Sequence, residues 1–347
     1  MKILITGASG FIGSYLVEAA LGAGMEVWAA VRQSSSREYL QDSRIRFFHL
    51  DLRSDEALAA SLNDHISTHG PWDYVVHAAG ATKCRTTSDF HRINTEGTVR
   101  LARLLVATGA LRGRFVFISS LSVVGAVADT PAGDSAAQPK GLYGYPLITD
   151  TDMPQPNTAY GRSKWEAEQA LADIAGLNYV ILRPTGVYGP RERDYFLMAK
   201  SICQHIDFAV GYRPQALTFI YVKDLVQAAM LALSRGESGR AYFLTDGDAY
   251  PSRAFSDLLQ SELSVRGVLH VKAPLWVLRV VCNVAGKIAA LRGKTSTLNP
   301  DKYQIMKQRT WQCDISAARH ELGYEPHYPL ERGVREAVCW YKAAGWL

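Results

Sequence analysis

The sequence predicts an α/β protein with a doubly wound parallel sheet and a smaller C-terminal domain. The chain opens with a β-branched strand, a glycine-rich turn and an amphipathic helix, in the run KILITGASGFIGSYLVEAALGAG. Short apolar strands then alternate with helical patterns, which is typical of a parallel sheet with helices on both faces. We expect the sheet domain to span residues 1–183 and a mostly helical substrate domain to span 184–347. Strand and helix patterns within 217–246 are expected to return to the sheet domain.

The composition is typical of a soluble globular protein. The 347 residues are 48% apolar and 20% charged, and this length allows a large core in two domains. The five scattered cysteines form no metal-binding spacing, so we expect reduced thiols and no metal site. Glycines interrupt the N-terminus too early for a signal peptide, and no uncharged apolar run is long enough to span a bilayer. These features predict a cytoplasmic location.

Positive charge is concentrated in the C-terminal third. The net charge is +5, but residues 264–313 hold nine basic side chains against one acid, Asp301. The rest of the chain carries 29 basic and 32 acidic residues. The basic residues of the segment are Arg266, Lys272, Arg279, Lys287, Arg292, Lys294, Lys302, Lys307 and Arg309. Because the segment lacks a nucleic-acid-binding motif, we expect no nucleic-acid partner.

The first strand-to-helix junction carries three glycines with the spacing of a dinucleotide-binding turn. Gly7, Gly10 and Gly13 would keep the turn tight, let the backbone approach a pyrophosphate and let the helix pack closely on the strand. The helix N-terminus would then present N–H groups to the phosphates. The other residues of this turn that we expect to contact the cofactor are Ser9, Phe11 and Ile12.

The second strand indicates which dinucleotide is bound. EVWAAV ends in Arg32, at the place where an acid would bind the adenosine ribose hydroxyls. Three serines and Arg37 follow, and hydroxyl and guanidinium groups can hold a 2′-phosphate that an acid would repel. A solvated loop is the alternative interpretation. The phosphate interpretation predicts a preference for NADP(H), with NAD(H) as the second choice.

The third and fourth strands bring further candidate cofactor contacts to the same edge. IRFFHL leads to Asp51 and Leu52, where the carboxylate can accept a hydrogen bond from an adenine amino group. The fourth strand ends in small residues that leave room for the cofactor across the strand ends; they include Ala78 and Ala79.

The next helix and the fifth strand contribute polar residues near the expected site. Asn94 is an unusual choice for a buried helix face, so we expect a role at the site, with capping or bending of the helix as the alternative. The strand RFVFISS delivers Ser119 and Ser120 to the sheet edge, and Ser120 is the better candidate to bind a substrate carbonyl. The polar loop 129–157 is long enough to cover the site as a lid.

Tyr160 and Lys164 lie four residues apart in AYGRSKWEAE and therefore share one face of a helical pattern. A cation roughly 4 Å from a phenol contributes about 4 kcal/mol, which would bring the pKa of Tyr160 from about 10 close to neutrality. Such a phenol can exchange a proton with an alcohol or a carbonyl oxygen. Tyr303 and Lys307 repeat the interval far from any phosphate-binding pattern, so we expect only the first pair to be catalytic. A merely buried tyrosine is the alternative.

The ordered motifs TGASGFIG, HAAG, ISSLSVVG, YGRSK, LRPTGVYGP and FIYVKDLVQA resemble the extended short-chain dehydrogenase/reductase family, over essentially the whole chain. The resemblance implies a Rossmann-type sheet and a catalytic triad of Ser120, Tyr160 and Lys164. Tyr160 would be the acid or base, Lys164 would hold the nicotinamide ribose, and Ser120 would position the reacting oxygen. Asn94 would support Lys164 through a water. The family positions within LRPTGVYGP that would contact the cofactor are Pro184 and Val187.

Two positions differ from the family members that act on nucleotide sugars. Those members usually carry Asn where this chain has Gly186, and an Arg for the diphosphate where it has Leu217. A diphosphate would bind poorly without such donors. The chain is therefore more similar to the branch of 3β-hydroxysteroid dehydrogenases and dihydroflavonol reductases.

We expect an NADP(H)-dependent oxidoreductase that interconverts a ketone and a secondary alcohol on a bulky apolar small molecule. A steroid or a long-chain 3-keto lipid of the sphingolipid type would fit this description. One alternative is a nucleotide-sugar epimerase or dehydratase with tightly bound NAD. The other is a non-catalytic cofactor sensor, which would have no use for the triad.

Residues 274–294 alternate wide apolar stretches with isolated cations. A helix of this composition can lie in an anionic membrane interface without spanning the bilayer, and the enzyme would then take its substrate from the inner face of the membrane. A subunit-contact or core helix is the alternative. The family resemblance also implies a homodimer formed through two long helices of each subunit.

Overall fold

A computed structural model describes residues 1–130, 140–291, 296 and 298–347, with the backbone alone for 289–291. Arg292, Lys294 and the middle of the expected lid, residues 131–139, lie outside the described residues. The strands in chain order are β1 (Lys2–Thr6), β2 (Glu26–Val31), β3 (Arg46–His49), β4 (Trp72–His77), β5 (Leu111–Ile118), β6 (Tyr179–Pro184), β7 (Gly186–Tyr188), β8 (Ile206–Val210), β9 (Ala216–Leu217), β10 (Phe219–Tyr221), β11 (Ala241–Leu244), β12 (Tyr250–Pro251) and β13 (Leu269–Ala273).

The helices alternate with the strands of the N-terminal half and dominate the C-terminal half. In chain order they are α1 (Phe11–Gly22), α2 (Asp55–His69), α3 (Thr87–Phe90), α4 (Gly97–Ala107), α5 (Ala159–Ala172), α6 (Arg193–Cys203), α7 (Val222–Ala232), α8 (Ala254–Leu263), α9 (Leu275–Leu291), α10 (Pro300–Lys307) and α11 (Leu330–Ala343). A π-helical turn, His91–Glu96, joins α3 to α4, so the helix expected around Asn94 contains a wider turn.

Seven strands form one parallel sheet in the order β11-β6-β5-β4-β1-β2-β3. The chain runs outward from β1 to β3, then returns to β4 and runs outward on the other side. The connections on the two sides of the β1/β4 pair therefore lead in opposite directions, and a crevice opens at the carboxyl ends of these strands. This order confirms the doubly wound parallel sheet predicted from the sequence.

The alternation of side chains along β1 divides the core into two layers. Ile3 and Ile5 pack into the layer that includes Leu16 of α1 and Leu225 of α7, whereas Leu4 packs into the opposite layer. All of these side chains are fully buried. Because both faces of the strand are covered, it reads as a continuous apolar run, as central parallel strands do.

The elements that follow β6 divide between the sheet and a smaller layer. β11 adds to the edge of the sheet beside β6, while β8 and β13 form a separate parallel pair. α9 leads directly from β13 and packs against α10. The last helix, α11, packs on α8 and holds the smaller layer against the strand β10.

Candidate active site

The glycine turn after β1 is shaped by two close backbone contacts. Gly7 has φ +68°, and a Cβ added there would lie 2.7 Å from the Ala78 carbonyl carbon and the Ala79 nitrogen. A Cβ on Gly13 would collide with the Gly7 carbonyl. Gly10 is the N-cap residue of α1 and has no side chain to cap the helix. The first N–H groups of α1 therefore face the turn without a capping hydrogen bond from the N-cap residue. This cradle fits the pyrophosphate of a dinucleotide.

The other expected contacts of this turn lie at its rim. The structure places three partly exposed side chains beside the glycines: Ser9, Phe11 and Ile12. Ala78 and Ala79 follow β4, and the Ala79 N–H donates to Thr6 Oγ1 at 3.1 Å. The ends of β1 and β4 are thus tied together directly beneath the cradle.

Arg32 lies just past β2 with an exposed side chain. Its backbone N–H donates to Ser35 Oγ at 3.0 Å, which folds the serine-rich segment into a turn. The Arg37 guanidinium stacks 4.1 Å over the Phe47 ring. Among the described residues, no carboxylate forms an ion pair with Arg32, and its side chain is exposed to solvent.

Asp51 and Leu52 follow β3 on the same edge. The Asp51 carboxylate accepts two hydrogen bonds from the Arg53 side chain, at 2.7 and 2.9 Å, and this pairing holds the pKa of Asp51 at about 2. Leu52 lies beneath Gly97, where an added Cβ would come 3.5 Å from Leu52 Cδ1. Asp51 is therefore an anion at neutral pH, and its nearest donor is the neighbouring arginine.

Asn94 sits in the π-helical turn and is fully buried. Its Oδ1 accepts from the Ala81 N–H at 2.7 Å, and its Nδ2 donates to the Ala81 carbonyl and to Ser163 Oγ, both at 3.0 Å. One side chain thereby fixes the loop after β4 against helix α5. π-helical turns of this kind are frequent at functional sites.

A buried chain of hydrogen bonds that the sequence reasoning missed connects Asn94 to the cradle. His77 Nδ1 lies 2.8 Å from Thr6 Oγ1, and His77 Nε2 lies 3.0 Å from Thr98 Oγ1, which in turn donates to the Asn94 carbonyl at 2.6 Å. Burial, with a smaller contribution from Lys164, lowers the pKa of His77 to about 3, so the ring is neutral. The HAAG motif predicted the end of a strand. The sequence pattern could not predict which side chains His77 contacts.

Ser120, Tyr160 and Lys164 meet at the carboxyl end of β5. Ser120 follows the strand, and its Oγ accepts from the Ser122 N–H at 3.1 Å. Tyr160 is the second residue of α5, whose start is capped by the Thr158 hydroxyl. Lys164, one turn later, is buried and donates from Nζ to the Ile118 carbonyl at 2.9 Å.

The acidity of Tyr160 differs from the expectation. Burial raises the pKa of Tyr160 to about 12, while a hydrogen bond with the Ser120 side chain acts in the opposite direction. The expected shift to neutrality is therefore wrong for this structure. In this structure the Lys164 ammonium is directed to the Ile118 carbonyl and lies 4.5 Å over the Phe117 ring. Burial also lowers the pKa of Lys164 to about 8, against a raising effect of Glu168.

A buried ion pair that the sequence reasoning missed lies directly behind this group. Glu168 accepts from Arg183 Nη2 at 2.5 Å and from Nε at 3.1 Å, and it also accepts from the Ser119 hydroxyl. Glu168 follows Lys164 by one helical turn, so the i+4 spacing was an available signal. The pair ties β5, β6 and α5 together beneath Ser120.

Helix α10 reaches the site from the C-terminal third. The Asp301 carboxylate accepts from the Tyr160 backbone N–H at 3.1 Å. Lys83, beyond the loop held by Asn94, pairs at 2.6 Å with Asp194 at the start of α6, and Lys302 approaches the same carboxylate at 3.9 Å. Asp301 was visible in the sequence as the single acid of a basic segment, but nothing there indicated its partner.

The wall beyond β6 is aromatic. Pro184 ends β6 and is buried, and Val187 lies in the middle of β7. A Cβ added at Gly186 would collide with the hydroxyl of Tyr195, which thus fills the space of a side chain at that position. The Tyr195 ring packs against Phe219 and Phe255 at centroid distances of 6.1 and 4.7 Å.

Comparison with known proteins agrees with this arrangement. The model of the "NAD dependent epimerase/dehydratase family" matches residues 3–244. The chain belongs to this family. The extended short-chain dehydrogenase/reductase resemblance is thereby confirmed, and the protein is an NAD(P)-dependent enzyme of the family's oxidoreductase, epimerase or dehydratase type.

The family's relatives include more than one chemistry. The chain is 26% identical to a UDP-glucose 4-epimerase of Vibrio cholerae, over 97% of this chain and 94% of the relative. It is 27% identical to a 4-hydroxy-2-methyl-3-oxo-4-farnesyl-3,4-dihydroquinoline-1-oxide ketoreductase of Stigmatella aurantiaca, over 96% and 95%. The crystal structure of a UDP-glucose 4-epimerase from Thermotoga maritima superposes with a TM-score of 0.75, at 21% identity and 99% coverage of both chains. This structural likeness confirms the fold.

Proposed function

We propose that this family member is an NADP(H)-dependent oxidoreductase that interconverts a ketone and a secondary alcohol on a bulky apolar substrate. The observation that carries the proposal is the meeting of Ser120, Tyr160 and Lys164 at the carboxyl end of β5, two strands from the glycine cradle. A steroid or a long-chain 3-keto lipid of the sphingolipid type is the substrate class we propose.

The side chains divide the proton chemistry between them. A bound nicotinamide supplies or accepts the hydride. Tyr160, whose pKa burial raises to about 12, keeps its proton at neutral pH and can donate it to the oxygen of a ketone being reduced. Ser120 adjoins the phenol and would hold the same oxygen. Lys164 would bind the nicotinamide ribose, and the cationic form would favour release of the Tyr160 proton.

The remaining predicted contacts have distinct proposed roles. Asn94 would support Lys164, and both side chains lie beside Gly80: a Cβ added there would lie 3.2 Å from Asn94 Oδ1 and 3.3 Å from Lys164 Nζ. Asp51 and Leu52 would flank the adenine. Residues of the strand ends would line the cofactor on its other sides: Ala78, Ala79, Pro184 and Val187.

The aromatic wall supports the apolar substrate class. Gly186 and Leu217 offer no side-chain donor to a diphosphate, and Tyr195 and Phe219 occupy the adjoining space. Buried phosphate oxygens need charged or amide donors, whereas a steroid or acyl chain packs on aromatic rings. The similarity to a ketoreductase whose name specifies a farnesyl-bearing ketone points the same way.

Substitution of Tyr160 by Phe tests the proposal. Removal of one hydroxyl should lower turnover of an apolar ketone by about 10²–10⁴-fold, the usual contribution of a positioned proton donor. Cofactor affinity should stay near that of the wild type. The matched control is Tyr303→Phe, which carries the same Tyr-to-Lys spacing on α10. A Tyr160→Phe enzyme with the wild-type rate would refute the assignment.

The preference for NADP(H) rests on Arg32. Its guanidinium is exposed at the end of β2, where the 2′-phosphate of an adenosine ribose would lie. Arg32→Asp should move the ratio of kcat/KM values toward NAD(H), while Arg44→Asp, at another exposed arginine, should leave it unchanged. An unaltered cofactor ratio in the first variant would count against the phosphate site.

A nucleotide-sugar epimerase or dehydratase is the second candidate, favoured by the similarity to UDP-glucose 4-epimerase. Such an enzyme returns the hydride to the same substrate and keeps its nucleotide bound. Purified protein with a stoichiometric nucleotide, and no net change in nicotinamide absorbance with any ketone, would favour this candidate. Net NADPH consumption with an apolar ketone would favour the oxidoreductase.

We propose that the enzyme acts at the inner face of the membrane and forms a homodimer through α4 and α5. These two helices pack on each other, and α5 carries the partly exposed Trp165. Light scattering after gel filtration tests the dimer: Trp165→Arg should yield monomers. A wild type that is already monomeric would exclude it.

A further inference from the structure

Helix α9 presents an apolar face to solvent. Trp276 is 70% exposed, Val280 54% and Val284 49%, and Val281 and Ile288 are also exposed. At 100° per residue these five side chains lie within an arc of about 140°. The opposite side of the helix is buried through Leu278 and Cys282. Exposed patches of this kind mark contact surfaces on folded proteins.

Basic side chains lie at one edge of this face: at 100° per residue Arg279 lies about 60° outside Trp276, and Lys287 lies about 20° inside the arc. Arg279 and Lys287 are exposed on α9, and Lys272 is exposed just before it. No Asp or Glu occurs from Val265 to Pro300, so the segment is complementary to an anionic surface. Within the part of the chain that the structure describes, no helix is long and apolar enough to cross a bilayer. The apolar arc with its cationic border has the character of a helix lying in a lipid interface.

The same helix is joined to the active site through α10. A Cβ added at Gly286 would lie 3.4 Å from Pro300 Cδ, which shows how closely α9 and the start of α10 approach. The next residue, Asp301, accepts the hydrogen bond from the Tyr160 N–H. Two helix contacts therefore separate the exposed face from the phenol.

We propose that the α9 face, defined as Trp276, Val280, Val281, Val284 and Ile288, docks on an anionic lipid bilayer. The apolar side chains enter the interface while Arg279 and Lys287 face the phosphates of the lipid headgroups. Docking places the α9–α10 pair, and with it the site at Tyr160, at the surface where an apolar ketone is dissolved. This last step rests on the proposed function, whereas docking itself does not.

Sedimentation with vesicles tests docking separately from catalysis. The full chain should bind vesicles of phosphatidylglycerol and phosphatidylcholine, and should bind pure phosphatidylcholine or vesicles in high salt more weakly. Trp276→Ser combined with Val284→Ser should weaken binding about tenfold or more. Lys287→Gln should weaken it about fivefold, the effect of one basic residue near a charged surface.

Matched controls use residues away from this face. Met153→Ser removes another highly exposed apolar side chain, and Arg112→Gln removes an exposed charge at the start of β5. Both should bind vesicles as the wild type does. All variants should reduce a short, water-soluble ketone at the wild-type rate without vesicles. A wild-type enzyme that does not reduce this ketone would count against the proposed function and not against docking.

Three results would overturn the proposal. The first is a wild type that fails to sediment with anionic vesicles. The second is a set of α9 variants that bind vesicles as well as the wild type does. The third is a dimer, detected by light scattering, that dissociates in the Trp276→Ser, Val284→Ser variant, while the wild type binds no vesicles. That last result would mean that a second copy of the chain covers the face.

Discussion

Loss of the Glu168 carboxylate should destabilise the protein and alter the site at the same time. Glu168 and Arg183 have side chains that are 2% and 10% exposed, and they are joined through two short contacts. Glu168→Gln keeps the shape of the side chain but leaves the Arg183 cation without its partner in the interior. Removal of one member of a buried pair costs about 3–5 kcal/mol. This is a large part of the 5–15 kcal/mol that typically stabilises a folded protein.

Urea unfolding followed by tryptophan fluorescence measures the effect. With a slope of about 3 kcal/mol per molar, the midpoint should fall by roughly 1–2 M. Glu331→Gln provides the matched control, since its pair with Arg335 on α11 is exposed and should contribute only about 0.5 kcal/mol or less. The double variant Glu168→Leu, Arg183→Met should recover most of the loss, because the Arg183 cation is removed together with its partner. If the urea midpoint of Glu168→Gln lies within about 0.3 M of the wild-type midpoint, this reasoning is refuted.

Two further predictions concern the site. The pKa of Lys164 is lowered by burial to about 8 and that of Tyr160 is raised to about 12, so both groups are protonated at neutral pH. The kcat/KM for ketone reduction should therefore be constant below about pH 7 and fall as the pH rises through about 8, where Lys164 loses its charge. The kcat/KM of a Lys164→Met enzyme should be low at every pH and show no such fall. Because Glu168 raises the pKa of Lys164, Glu168→Gln should move the decline to lower pH, and an unmoved profile would contradict that coupling. Gly13→Ala should abolish dinucleotide binding, measured by calorimetry, because the new Cβ would lie 2.6 Å from the Gly7 carbonyl carbon. The control Gly22→Ala, at an open position on the same helix, should bind the dinucleotide as the wild type does.

Local patterns predicted those parts of the fold that short-range chemistry decides. The run from Lys2 to Gly13 contains the strand, the turn and the helix start that the structure shows, because glycine alone permits the close contacts at Gly7 and Gly13. The spacing of Tyr160 and Lys164 likewise predicted one helix face. It could not predict the direction of the ammonium, which depends on the Ile118 carbonyl of a strand 46 residues away.

The features that sequence reasoning missed all depend on distant partners. Asp301 reaches the Tyr160 amide across 141 residues, and the Thr6–His77 contact spans 71. Periodicity describes the face a residue occupies on its own element, but not which element packs opposite. The π-helical turn around Asn94 has the same cause, since its side chain is held by Ala81 and Ser163 on two other segments.

Gly186 and Leu217, the two positions expected to differ from nucleotide-sugar enzymes, lie beside the same aromatic wall. A side chain at position 186 cannot be introduced without moving the Tyr195 hydroxyl, and Tyr195 in turn packs on Phe219 and Phe255. Leu217 lies two residues before Phe219 and packs against the same core. A polar diphosphate site would therefore require the aromatic wall to be rebuilt together with positions 186 and 217. The missing side chain at 186 and the aromatic wall depend on one another, and together with the apolar residue at 217 they support the proposed apolar substrate more strongly than any one of them does alone.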